Sequence, residues 1–212
     1  MYKTTLMISL LLISFSIFGF NFVNRANIVG QKDSSIFLQS DIQPQNDFIG
    51  KAGNKKILIV YFSHSGNTRI AAEKVKALTG ADIIELKTVN KYSEDYKTVV
   101  TKARKELADN ARPKLATKID NLDDYDTIIL AYPNWCGTMP MPIFSFLEQY
   151  DFKGKTIAPL CTHGNGGLGN SVKDMTKLVS KAKITDSFNS RGTEVKNIDN
   201  DLKAWLKKIS VL

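Results

Sequence analysis

From residue 55 onward the apolar and polar positions alternate between two rhythms. Residues 55–62, KKILIVYF, form a short run of aliphatic and aromatic side chains, the pattern of a strand covered on both faces. Residues 67–78 place Ile70, Ala71, Val75 and Leu78 on one helical face. Residues 82–86 predict a second strand. Ser93, followed by Glu94 and Asp95, predicts the cap of a helix running to about residue 110, before Pro113. Residues 126–132 (DTIILAY) predict a third strand, and residues 140–150 a helix that tolerates Pro140 and Pro142 only in its first turn. Residues 156–161 predict a fourth strand and residues 171–179 a further helix. A weaker segment, residues 187–190, predicts a fifth strand, and Asn197 the cap of a last amphipathic helix through Trp205, Leu206 and Ile209. Such alternation implies an α/β fold with right-handed crossovers and a parallel sheet covered by helices on both faces. In these sheets ligands bind beyond the carboxyl ends of the strands, where strand order reverses.

The N-terminal part follows neither rhythm. Lys3 is the only charged side chain before Arg25, and residues 6–23, LMISLLLISFSIFGFNFV, are almost unbroken apolar. A positive start followed by an apolar stretch reads as a secretory signal peptide, and the run also reaches the lower length limit of a membrane-spanning anchor. The expectation is therefore an exported chain, released or tethered to the membrane by residues 1–23. A bacterial lipoprotein anchor needs a cysteine directly after the run, whereas the first cysteine is Cys136; no twin-arginine pair precedes it. Residues 24–53 are mixed and polar with no sustained period, a linker to a domain spanning residues 54–212.

Composition narrows the chemistry. Two cysteines among 212 residues build neither a disulfide scaffold nor a four-cysteine zinc site, and two histidines make a multi-histidine metal centre unsupported. The net charge of +8 favours acidic proteins, anionic lipid or nucleic acid without choosing among them.

Three loops fall at the expected sheet edge. After the first strand come Ser63, His64, Ser65, Gly66, Asn67 and Thr68, leading straight into a helix. Hydroxyls around one glycine at a helix N-terminus suit a phosphate. The loop lacks the lysine of a Walker motif and the flanking glycines of a nucleophile elbow. After the third strand come Pro133, Asn134, Trp135, Cys136 and Gly137, where an indole can stack on a flat ligand. After the fourth come Thr162, His163, Gly164, Gly166 and Gly167. Gly164, Gly166 and Gly169 match G-x-G-x-x-G, but that fingerprint belongs to a first strand, so the loop reads as the lining of a planar ligand. His163 reads as a loop hydrogen-bonder and His64 as facing solvent or the phosphate, because no carboxylate stands nearby to orient either as a base.

Together these loops resemble those of the flavodoxin family: IVYFSHSGNT its phosphate loop, AYPNWCGTMPMP and LCTHGNGGLG the two loops beside the flavin ring. The resemblance implies a flavodoxin-like three-layer sandwich with a five-stranded parallel sheet, order 2-1-3-4-5, binding FMN. Ser63, Ser65, Gly66, Asn67 and Thr68 would then hold the phosphate. Pro133, Asn134, Trp135 and Gly137 with Thr162, His163, Gly164 and Gly166 would border the ring, with a backbone group near Gly137 bonded to it. Cys136 stands where related sequences often carry a second tryptophan. The resemblance implies electron transfer with a redox partner protein, an acidic one being steered by the basic surface, and no nucleic acid. An FMN-dependent NAD(P)H:quinone or flavin reductase, or an exported binding domain without redox function, are the alternatives.

In the implied strand order, Cys136 and Cys161 lie at or just beyond the ends of adjacent strands. In an oxidising compartment they either close a bridge or remain independent thiols.

Overall fold

The computed structural model describes residues 56–212. The export and linker readings lie outside the described residues. Among the described residues no helix is long and apolar enough to cross a membrane.

The strands are β1 (Ile57–Tyr61), β2 (Asp82–Glu85), β3 (Thr127–Pro133), β4 (Thr156–His163), β5 (Lys183–Ile184) and β6 (Phe188–Arg191). Between them run α1 (Asn67–Thr79), α2 (Tyr96–Ala108), α3 (Met141–Gln149) and α4 (Ser171–Leu178), and α5 (Asp199–Lys208) closes the series. All pairings are parallel, in the order β2-β1-β3-β4-β5. The fifth position is divided: β5 pairs with Thr156 and Ile157, whereas β6 pairs with Leu160 to His163 further along the same strand. The weak segment therefore forms a strand, but the edge it occupies is shared.

β1, β3 and β4 are nearly unbroken apolar runs because both their faces are covered. On one face Leu58, Val60, Ile128, Leu130 and Tyr132 pack with Ile143, Phe146 and Met175 from α3 and α4. On the other, Ile59, Ile129, Ala131 and Leu160 meet Ala71, Ala72 and Val75 of α1 and Leu202, Trp205 and Leu206 of α5. Burying one such aliphatic side chain contributes about 1.5–3 kcal/mol.

Two helix starts differ from expectation. Asp95, not Ser93, caps α2: its Oδ2 accepts from the Thr98 N–H and hydroxyl, both at 2.8 Å. Ser93 Oγ instead accepts from the Asp95 N–H at 3.1 Å, holding the cap in place. Asn197 ends a short 3-10 turn, and α5 begins at Asp199, with Asp199 and Asp201 at the positive end of its dipole.

Candidate functional site

The first loop turns β1 into α1 at the centre of the carboxyl edge. Ala71 and Ala72, both fully buried, let α1 lie close on the sheet and fix its first turn there. Gly66 has φ +88°; an added Cβ would meet nothing within 4 Å, so the left-handed backbone demands glycine rather than any lack of space. Ser63 Oγ accepts from the Arg69 N–H at 3.3 Å. Thr68 Oγ1 and Thr162 Oγ1 share a buried hydrogen bond of 2.7 Å, tying the start of α1 to β4. These two hydroxyls thus hold the frame. Among the described residues, the backbone N–H groups of residues 64–68 have no hydrogen-bond partner. A run of unsatisfied donors at a helix N-terminus, beside the exposed Ser65, is a cradle for an anion. The closest cation in sequence, Arg69, is held by Glu85 at 2.6 Å and by the Tyr61 hydroxyl.

The loops after β3 and β4 are sewn together. Trp135 and Thr138 exchange backbone hydrogen bonds of 2.9 and 3.1 Å across Cys136 (φ +54°) and Gly137 (φ +83°), a tight turn with both central residues left-handed. Asn134 Oδ1 accepts from the Gly137 N–H at 3.0 Å, and Asn134 Nδ2 donates to the Gly167 carbonyl at 2.7 Å. The Gly137 carbonyl accepts from the Asn170 N–H at 2.7 Å. Both polar groups of Gly137 are therefore engaged within the protein. Gly169 packs so closely that a Cβ would stand 2.2 Å from the Gly137 oxygen. Gly166 lies against Asn134, while Gly164 has open space.

A cavity of about 310 Å³ joins these loops, lined by Ser65 and Asn67 on one side and Pro133, Asn134, Trp135, Thr162, His163 and Gly164 on the other. Among the described residues no lysine or arginine lines it. Tyr96, Gly192 and Thr193 complete the wall. None of these three is evident from the loop motifs. Gly192 and Thr193 follow β6, so the rule that ligand loops follow strand ends reaches them once that strand is recognised. Gly192 is pressed against Asn67, whose Nδ2 would lie 2.3 Å from an added Cβ. Tyr96 is 76% exposed at the start of α2, and its signal is a large aromatic side chain left in solvent.

His163 Nε2 lies 3.0 Å from Asn189 Oδ1 and donates to it, which leaves Nδ1 as an acceptor. That Nδ1 is buried without a partner among the described residues. His64 Nε2 donates to the Ser93 carbonyl at 2.7 Å, so this ring braces the loop before α2. Trp135 meets Phe62, Tyr92 and His64 in T-shaped contacts, with ring centroids 5.5, 5.1 and 5.9 Å away.

The sequence model of the family described as Flavodoxin matches residues 56–209. The chain belongs to the flavodoxin family. A protein of Bacteroides eggerthii assigned as a flavoprotein is 30% identical, with a TM-score of 0.68 over 75% of this chain and 100% of its own. Another from Bacteroides uniformis is 29% identical, with a TM-score of 0.65 over 72% of this chain and 98% of its own. A flavoprotein of Lactobacillus acidophilus in complex with FMN is 23% identical, with a TM-score of 0.56 over 67% and 97% of the two chains, and shares the fold. No curated protein matches.

In this member of the flavodoxin family the two cysteines are free thiols. Cys161 is fully buried, its Sγ facing the carbonyls of Thr162 and Gly167 at 3.6 and 3.7 Å. Burial pushes its thiol up to about 12. Cys136 is exposed on the tight turn. The turn, rather than a bridge, sets where Cys136 stands.

Proposed function

We propose that the chain binds FMN non-covalently at the carboxyl edge of the sheet and serves as an exported electron carrier. The observation that carries this reading is the run of unpartnered N–H groups at residues 64–68 opening toward a cavity whose far side is Trp135 and the glycine loop. FMN supplies the redox chemistry when bound; the protein supplies position and electrostatics.

The donor set fits the cofactor. Its phosphate carries two negative charges, and the cradle offers backbone N–H groups, the Ser65 hydroxyl and the helix dipole. The residues holding it are Ser65, Gly66, Asn67 and Thr68, with Ser63 fixing the turn. The unpartnered His163 Nδ1 is an acceptor in need of a donor, and FMN carries hydroxyl and imide N–H donors. Trp135, Pro133 and Gly164 form a surface that excludes water from one side of a planar ring. Asn134 keeps that surface in register with the glycine loop through its two hydrogen bonds.

The charged start and apolar run of residues 1–23 support export, and the net charge of +8 supports an acidic redox partner. Titrating the purified full-length chain with FMN tests the reading: quenching of flavin fluorescence at one equivalent is expected, and an unchanged flavin spectrum would overturn it. The loaded protein is then reduced stepwise and offered NAD(P)H with a quinone. Two separate reduction potentials without NAD(P)H turnover fit a carrier; steady turnover would replace that role by a reductase. Expression with residues 1–23 fused to a reporter active only outside the cytoplasm tests export.

A further inference from the structure

Two parts of one cavity meet at the start of α2. The part of about 310 Å³ continues into one of about 520 Å³ beside that helix, and Ser65, Tyr96, Pro133, Asn134 and Trp135 border both. Ser65 belongs to the phosphate loop, so Tyr96 shares a wall with the cradle whichever part a ligand fills. Four residues earlier, Tyr92 shows what a tyrosine does when it serves the fold. Its hydroxyl donates to Glu106 Oε2 at 2.7 Å, its ring meets those of Phe62 and Trp135, and Lys102 Nζ stands 4.1 Å from its centre. Tyr96 does none of this. Among the described residues its hydroxyl has no partner, its ring meets no other ring, and it is the most exposed large hydrophobic side chain. Its backbone, by contrast, is tied to the phosphate loop. His64 donates to the Ser93 carbonyl at 2.7 Å, Ser93 Oγ accepts from the Asp95 N–H at 3.1 Å, and Asp95 caps the helix that Tyr96 begins. A side chain left in solvent is thus carried on a backbone fixed to the cradle.

We propose that Tyr96 is a specificity-determining residue for the phosphate: its phenol O–H donates to the anion held by residues 64–68. The assignment rests on the FMN reading and deepens it, since it adds a donor from outside the phosphate loop. The unpartnered N–H groups reach the anion from the start of α1, whereas a phosphate presents three strong acceptor oxygens and two negative charges. In the part of the cavity that Asn67 borders, the lining holds no lysine or arginine among the described residues, so a further donor there is neutral. A phenol hydroxyl with no partner to give up meets that need. Its hydrogen bond to a charged oxygen is stronger than one between neutral groups. Tyr96 thereby favours a flavin that carries phosphate over one that does not.

Fluorescence titration of the full-length chain with FMN, for wild type and Tyr96→Phe, tests the assignment. The variant keeps the ring and loses only the hydroxyl, and it is expected to bind FMN about tenfold more weakly. The phosphorus NMR resonance of bound FMN is expected to move in Tyr96→Phe, which a change confined to the flavin ring or to the fold would not produce. Urea unfolding of the FMN-free chain is expected to be the same for both proteins, because the hydroxyl has no partner within the fold. Equal FMN affinity in the two proteins, an unmoved phosphorus resonance, or a stability loss that matches the affinity loss would each overturn the assignment. Wild type that fails to bind FMN removes the cofactor reading and this assignment together. Wild type that binds, with Tyr96→Phe matching it, removes this assignment alone.

Discussion

The first loop and the pair of loops after β3 and β4 share one sheet edge and are built in opposite ways. In the first loop, Ser63 and Thr68 turn inward to hold the frame, and the backbone donors of residues 64–68 are left without partners. In the paired loops, Asn134 satisfies Gly137 and Gly167, Asn170 satisfies the Gly137 carbonyl, and what lines the cavity beside them is Pro133, Trp135 and Gly164. Unsatisfied donors attract a localised charge, whereas a surface whose polar groups are already engaged suits an apolar ring. The contrast divides recognition of one ligand into a charged end and a flat end.

Gly169→Ala should break the sewn pair hardest. The new methyl group would stand 2.2 Å from the Gly137 oxygen at a φ of +54°, so backbone must shift. A loss of about 3 kcal/mol in urea unfolding is expected. A variant as stable as wild type, with unchanged FMN affinity, would show that the two loops do not depend on each other. Asn134→Ala comes next, at about 2 kcal/mol, because it leaves the Gly137 N–H and the Gly167 carbonyl unpaired.

Gly66→Ala sharpens the contrast from the other side. Space is open there and only the backbone angle resists, so about 1 kcal/mol of stability should be lost. FMN affinity should fall by more than that, since the cradle is distorted where the phosphate is held. Equal losses of stability and affinity would mean that the loop is structural only.

The smallest effect concerns the thiols. Iodoacetamide should label Cys136 in the native protein and Cys161 only after unfolding; thiol counting on the unfolded, unreduced protein should give two. Burial raises the Cys161 thiol from 9.0 to about 12, so above about pH 9 the unfolded chain releases a proton that the folded chain keeps. The contribution of this group to stability is whole below about pH 9 and declines as the pH rises toward 12. Cys161→Ala should flatten that alkaline decline; an unchanged slope would place the thiol in a wetter environment than its burial indicates.

What was legible in the sequence was what the hydrophobic pattern or local chemistry writes down. β1, β3 and β4 are continuous apolar runs because both faces are covered, and the three loops stand at their ends. β6 was faint because only Phe188 and Ser190 are buried on it, with polar residues between them, so a single face leaves little signal in four residues. Ser93 and Asp95 are both good caps, and only the hydrogen bonds to Thr98 choose between them. The tie from Asn134 to Gly167 spans 33 positions and leaves no periodic trace. Tyr96, Gly192 and Thr193 reach the cavity through tertiary placement of α2 and β6, which no local motif encodes. Proximity of strands three and four invited a Cys136–Cys161 bridge, but a tight turn with two left-handed residues determines where Cys136 sits.

The divided fifth position has a consequence for when the cavity comes into being. Between β5 and β6 the Asp186 carbonyl accepts from Trp205 Nε1 at 2.8 Å, and the Asp186 carboxylate pairs with Lys208 at 3.0 Å. The gap in the edge is thus bridged from α5, and Gly192 and Thr193 follow the strand on its far side. One wall of the cavity starts some ten residues into the described segment and another is braced by its last helix. A chain threading through a narrow passage in order of synthesis would carry only half a vessel until residues 188–208 had emerged, and could retain its cargo only on the side where it finally closes.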